Sequence, residues 1–248
     1  MKKALVKKGL GLCILYAVGI MLTSKNIYAM HIMEGFLPRG WSVLWGVISV
    51  PFIILGYLKI RKQVDDNSDA LLVFAMSGAF VFVISALKLP SLTGSSSHAT
   101  GIALGAILLG PSPISIIGLI VLLFQAILLA HGGLTTLGAN VFSMAIVGAY
   151  VAYGVYHLSR KLKVSFGISV FIATVISNLA IYLTTAIELG LGHANESSPL
   201  FQSIIKFILI FLPTQVPLAI IEGILTVFVI TSIKKYGIMP FGVHHEEN

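Results

Sequence analysis

Long apolar runs separated by short polar stretches dominate the chain. Beyond residue 29 the apolar residues fall into seven segments: 42–60, 70–89, 96–110, 114–130, 136–158, 165–190 and 201–233. Most reach the roughly 20 residues that a helix needs to cross the hydrocarbon core of a bilayer, whereas the third segment is short. The pattern therefore predicts an all-α, polytopic membrane bundle of about six to seven transmembrane helices.

Composition strengthens this prediction and excludes several classes of protein. Hydrophobic residues make up 57% of the 248 residues and charged residues only 10%, and the mean hydropathy is +0.98. Such a mix is far from that of a soluble domain and leaves no room for a separate catalytic domain. The chain contains neither a G-x-x-x-x-G-K-[ST] phosphate-binding loop nor an H-E-x-x-H zinc-protease pair. We therefore expect a membrane protein that is not an enzyme.

The first 29 residues have the three parts of a secretory signal peptide. Four lysines precede an apolar run over 9–22, and a polar stretch then ends in Ala29. We predict cleavage after Ala29, which gives a signal peptide at 1–29 and a mature domain at 30–248; an uncleaved anchor is the alternative. Cys13 is the only cysteine, so a cleaved chain contains neither disulfides nor thiolate metal ligands.

Positive charges between the segments indicate how the chain crosses the membrane. The turns "KIRK" and "RKLK" and the late "KK" pair alternate with turns that carry little positive charge. This asymmetry follows the positive-inside rule if the short third segment also crosses. The chain is then a multi-pass protein of the cell membrane, and its extracellular side holds four residues of interest: Met30, His31, His98 and His131.

These four residues could form a metal site. A new terminus at Met30 supplies an amine, and His31 supplies a backbone nitrogen and an imidazole, which together close two fused chelate rings on one ion. His98, in "PSLTGSSSHATG", could add a fourth nitrogen. Four planar nitrogens favour Ni(II) or Cu(II) and are open to Co(II). His131 could orient the ligands from a second shell, and a plain hydrogen-bonding role remains the alternative for each histidine.

Three motifs in this order, "MHIMEGFLP", "GSSSHATG" and "HGGLTTLGAN", closely resemble the CbiM family. That family contains the substrate-capture subunits of energy-coupling factor cobalt importers, and the nickel-binding NikM proteins are its near relatives. The resemblance implies cobalt(II) as the transported substrate, with nickel(II) as the alternative. It also implies that Met30, His31 and His98 bind the metal. The implied partners are a small CbiN-like membrane subunit, a CbiQ-like coupling subunit and a CbiO-like ATPase, all serving cobalamin biosynthesis.

Other interpretations of the polar residues stay open at this stage. An intramembrane hydrolase would place a serine of "GSSSH" beside His98 or His131 as a nucleophile. Glu34 could attract a cation, although a simple surface pair with Arg39 is the preferred interpretation. Glu222 lies inside the last apolar segment, where an ionisable group serves a pathway or a partner, or is hydrogen-bonded within the bundle.

Overall fold

A computed structural model describes residues 31–86, 89–90, 96–195 and 199–236. The predicted signal peptide and Met30 lie outside these described residues, so cleavage after Ala29 stays a prediction.

The described chain is a helical bundle. Its helices, in chain order, are α1 (Arg39–Asp66), α2 (Asp69–Ala86), α3 (Ile102–Leu109), α4 (Pro111–Leu128), α5 (Leu137–Lys161), α6 (Phe166–His193) and α7 (Leu200–Lys235). Two antiparallel strands of two residues each, β1 (Leu89–Pro90) and β2 (Ser96–Ser97), lie between α2 and α3. All helices except α3 are long and apolar enough to cross a membrane, which makes six among the described residues. The predicted all-α membrane bundle is confirmed.

The third apolar segment is helical only in its second half. Helix α3 has eight residues and is about 12 Å long, too short to cross a bilayer. Before it, the chain runs beside α7, with Ser97 against Gln215 and Gly101 against Glu222. Seven residues of α7, about 10 Å, separate these two contacts. The segment thus begins as non-helical chain inside the bundle, which is tolerated where protein covers it.

Helix α3 carries the third segment to the opposite end of the bundle. Gly110 joins it to α4, and the Ser112 carbonyl near the start of α4 lies against Gly56 of α1. Gly56 is 17 residues beyond the start of α1 at Arg39, or about 25 Å along that helix. The non-helical stretch and α3 together therefore span most of the depth of the bundle. The distribution of positive charges between the segments follows the positive-inside rule only if the third segment crosses in this way.

Burial distinguishes the centre of the bundle from its lipid-facing surface. Every residue of α3 is buried, because α4, α5 and α6 pack around it. In contrast, α1 and α2 expose large apolar side chains such as Val43 and Leu72. Residues Val141–Gly148 of α5 form a π-helix, a distortion often found near functional sites. The polar side chains described next are concentrated in the buried interior.

Candidate metal-binding site

Three buried histidines from three separate stretches meet at one end of the bundle. The ring of His31 lies 4.7 Å from that of His98 and 4.5 Å from that of His131, measured between centroids, and the rings of His98 and His131 are 4.9 Å apart. One nitrogen from each lies within 4.8 Å of the others. Sequence reasoning placed all three on one side of the membrane but left His131 outside the ligand set. In the structure His131 is as near to His31 as His98 is.

The backbone beside His31 is clamped by polar side chains from the start of α5. Asn140 accepts the Ile32 N–H through Oδ1 at 2.8 Å and donates through Nδ2 to the Ile32 carbonyl at 3.1 Å. The Thr136 hydroxyl also donates to that carbonyl. These contacts set the position of His31. Thr136 and Asn140 both lie in the motif "HGGLTTLGAN", but the sequence analysis gave neither residue a role. An amide side chain inside an apolar segment could have indicated a buried polar contact at Asn140.

Glycines allow the His131 loop to approach the N-terminal stretch closely. Gly132 has a φ of +81°, a left-handed conformation that glycine adopts without strain. At Gly133 an added Cβ would lie 2.5 Å from both the Cα and the N of Glu34. Because no side chain fits there, the two backbones pack directly against each other. The two glycines thus hold the loop against the stretch that carries His31.

Glu34 contacts this same loop and makes no ion pair with Arg39. Its Oε2 accepts the Thr135 backbone N–H at 3.1 Å. Hydrogen bonds from the Thr135 side chain and backbone lower the pKa of the exposed Glu34 carboxyl. The only ion pair recorded within the described ranges joins Arg61 and Asp65. The preferred interpretation of Glu34 as a partner of Arg39 was therefore wrong, since its carboxylate reaches across to the loop.

A local hydrogen bond orients His98. Its Nδ1 lies 2.8 Å from the Ala99 carbonyl oxygen, which can only accept, so Nδ1 carries the proton and Nε2 the lone pair. The preceding Ser97 hydroxyl donates to Thr214 Oγ1 at 3.2 Å and accepts from Gln215 Nε2. Ser97 is thus directed toward α7. Of the serines in "GSSSH", it is the one whose side chain is described, and its contacts do not support a nucleophile paired with His98.

Glu222 holds the chain that follows His98. Its carboxylate accepts the Thr100 N–H at 2.9 Å, the Thr100 hydroxyl at 2.8 Å and the Gly101 N–H at 2.9 Å. Asn178 of α6 donates a fourth hydrogen bond at 2.6 Å. Four donors compensate for the burial of the carboxylate. These contacts agree with the interpretation that Glu222 is hydrogen-bonded within the bundle. Through Glu222, helix α7 supports the loop that carries His98.

Gln125 of α4 contacts the imidazole of His31, a role that sequence reasoning missed entirely. Gln125 Oε1 lies 3.0 Å from His31 Nε2, and Gln125 Nε2 donates to Ser85 Oγ at 2.6 Å. The Ser85 hydroxyl donates to the Val81 carbonyl of its own helix. The backbone carbonyl of Gln125 accepts the backbone N–H of His131 at 3.1 Å. Gln125 therefore contacts the imidazole of His31 through its side chain and the backbone of His131 through its own backbone.

The site offers nitrogen ligands in an environment shielded from water. His31, His98 and His131 are at most 2% exposed, and imidazole nitrogen suits Zn, Cu, Fe and Ni as well as Co(II). No aspartate, glutamate or cysteine joins this cluster within the described part of the chain. Such a set is suited to holding one soft-to-borderline divalent ion.

Comparison with known proteins points in the same direction. The family described as "Cobalt uptake substrate-specific transmembrane region", CbiM, matches residues 31–238. The cobalt transport protein CbiM of Lachnoclostridium phytofermentans is 53% identical over 213 residues, which cover 86% of this chain and 85% of that protein. That of Ruminiclostridium cellulolyticum is 51% identical over 237 residues, or 95% of both chains.

Solved structures resemble the bundle as well. A crystal structure described as a truncated transition metal transporter is 31% identical, has a TM-score of 0.75, and covers 83% of this chain and 99% of its own. A second, described as a transition metal transporter, has the same identity and TM-score and is covered over 93% of its length.

Proposed function

Because this chain belongs to the CbiM family of cobalt uptake transmembrane regions, we propose that it captures cobalt(II) for an ATP-driven energy-coupling factor importer that supplies cobalamin biosynthesis. It is a capture subunit and not an enzyme. The observation that carries the proposal is the cluster of His31, His98 and His131, whose nitrogens lie within 4.8 Å of one another. Nitrogen ligands from three separate stretches make a site that forms only in the folded bundle.

The proposed ligands are the Met30 amine, the backbone nitrogen and imidazole of His31, and His98 Nε2. Cleavage after Ala29 creates the amine, so processing completes the site. The family match begins at residue 31, the second residue of the proposed mature chain. His131 faces the same point and either shields the ion or replaces one ligand.

Cobalt is preferred to nickel on the evidence of the relatives, which are named cobalt transport proteins. Affinity order alone favours Ni(II) over Co(II) at four nitrogen ligands. A nickel(II) capture subunit is therefore the alternative that the experiment below distinguishes.

We further propose that the extracellular side of the cell membrane carries the metal site. The positively charged turns then face the cytoplasm. The chain has no phosphate-binding loop, so ATP hydrolysis falls to a CbiO-like ATPase, coupled through a CbiQ-like membrane subunit and accompanied by a CbiN-like small subunit.

The test is the metal content of the processed protein, purified from membranes of cells grown with equal cobalt and nickel. We expect about one cobalt per chain, lost in His98→Ala and retained in His157→Ala. His157 is an exposed histidine of α5, packed on Tyr153, and serves as the matched control. Nickel in place of cobalt would support the alternative. Absence of metal from a correctly processed wild-type chain would refute capture at this site.

A further inference from the structure

The donor bond from Ser85 to Val81 sets the direction of the hydrogen bonds that link α2, α4 and His31. The Ser85 hydroxyl has a single proton and gives it to the Val81 carbonyl, so Ser85 Oγ must accept from the neighbouring Gln125 amide. The NH₂ group of Gln125 therefore faces Ser85, and its carbonyl oxygen faces His31. A carbonyl oxygen can only accept. His31 Nε2, 3.0 Å away, must then carry a proton.

Chelation by His31 requires the same arrangement. A metal bound to the backbone nitrogen of His31 closes a six-membered ring through Cα, Cβ, Cγ and Nδ1. Nε2 lies on the far side of the imidazole and cannot close this ring. A neutral imidazole has one N–H and one lone pair, so chelation needs the tautomer protonated at Nε2. That tautomer is the one that Gln125 stabilises.

We propose that Gln125 is a positioning residue that sets the tautomer and orientation of His31, so that Nδ1 is presented to the captured ion. This inference rests on the proposed function, because it assigns Nδ1 to the metal chelate. Gln125 does not touch the ion. It acts through His31, as partners of metal-binding histidines commonly do.

The surroundings of Gln125 prevent its amide from reversing. Gln125 is fully buried, so water cannot replace either partner. A rotation that exchanged Oε1 and Nε2 would turn the carbonyl oxygen toward Ser85, and the Ser85 hydroxyl would have to give up its bond to Val81 in order to donate to that oxygen. Loss of that buried hydrogen bond makes the reversed amide unfavourable. Ser85 therefore supports Gln125 in the way that Gln125 supports His31, and it lies one hydrogen bond farther from the metal.

The tautomer can be read directly in metal-free protein. ¹⁵N NMR of the processed full chain with labelled histidine distinguishes a protonated Nε2 from a protonated Nδ1, and His31→Ala assigns the His31 signals. We expect protonation at Nε2 in the wild type. Gln125→Met keeps the length of the side chain but removes the acceptor, and should shift the ring toward the other tautomer. Cobalt(II) affinity should fall about ten- to a hundredfold in this variant.

Two further variants keep the result interpretable. Ser85→Ala should cause a smaller change in the same direction, because Gln125 stays but its orientation is freed. Thr174→Val is the control: Thr174 is buried in α6 and bonds only within its own helix, so tautomer and affinity should match the wild type. Protonation of His31 at Nδ1 in the wild type, or an unchanged tautomer in Gln125→Met, would overturn the proposal.

The measurement also separates this inference from the proposed function. The tautomer is recorded without metal, whereas cobalt capture is recorded by titration. A wild-type chain with the expected tautomer but no cobalt binding would refute capture. Full cobalt binding with the opposite tautomer would refute the role of Gln125 and leave capture intact.

Discussion

Replacing Gly133 by alanine tests whether close contact between two backbones builds the metal site. The added Cβ would lie 2.5 Å from the Cα and N of Glu34, whereas ordinary contact begins at 3.4 Å. Both neighbouring atoms belong to the backbone, so no flexible side chain can move aside. The φ angle of Gly133 is not positive, which means that alanine suits the local conformation and only the contact is disturbed.

The expected magnitude follows from this overlap. Either the loop or the stretch carrying His31 must move by about 1 Å, while metal–ligand distances tolerate about 0.2 Å. Overpacking of this kind typically costs about 1–3 kcal/mol. If the cost falls on the assembled site, cobalt(II) affinity should decrease about 5- to 150-fold.

The assay is equilibrium cobalt(II) titration of the processed protein in a lipid nanodisc, with thermal unfolding measured in parallel. Gly154→Ala is the matched control, because Gly154 has no neighbour within 4 Å and lies in helix α5. It should bind cobalt normally and gain about 0.5–1 kcal/mol of helix stability. Wild-type cobalt affinity in a folded Gly133→Ala chain would refute the claim that direct backbone contact assembles the site.

Four further outcomes are expected. Mass spectrometry of the mature chain should find Met30 at the N-terminus; any other start removes the proposed chelate. His98→Ala should weaken cobalt(II) binding at least about tenfold without altering membrane insertion, since one of four ligands is lost. An alanine inserted between Ala29 and Met30, with cleavage still after Ala29, should abolish uptake by cells carrying the complete importer, even if some binding survives. The lowered pKa of Glu34 means that its bond to Thr135 stabilises the loop above the unfolded pKa and is lost as pH falls through the folded one. Protection of the Thr135 amide from exchange, relative to its intrinsic rate at each pH, should therefore fall in acid, and Glu34→Gln should remove that change in protection.

The hydropathy of the sequence was sufficient to determine the class of fold. Crossing a bilayer requires about 20 consecutive apolar residues, a local property that can be read along the chain. It predicted the six long helices within three residues of their observed bounds, except for the end of α1, which lies six residues farther on at Asp66. The same pattern failed within 96–110, where only Ile102–Leu109 is helical. Hydropathy does not distinguish a helix from extended chain that other helices surround and hydrogen-bond.

The candidate site divides in a similar way. His31 and His98 stood out in polar stretches at segment ends, and the charge asymmetry placed both on one side of the membrane. Their side-chain partners were not assigned, because the amides of Gln125 and Asn140 mark buried polar positions in apolar segments without showing which residue each one contacts. Gln125 is 94 residues from His31, Asn140 is 108 from Ile32, and Glu222 is 122 from Thr100.

The sequence by itself therefore determined that the chain spans a membrane, and it predicted that His31, His98 and His131 lie on the same side. Only the tertiary structure decided that the ring of His131 packs within 4.9 Å of the other two, that Glu222 supports the His98 loop and that Gln125 faces His31. The physical reason is that hydropathy acts residue by residue. The partner of a buried polar group depends instead on how each helix is rotated, and that rotation is set by packing among all the helices at once.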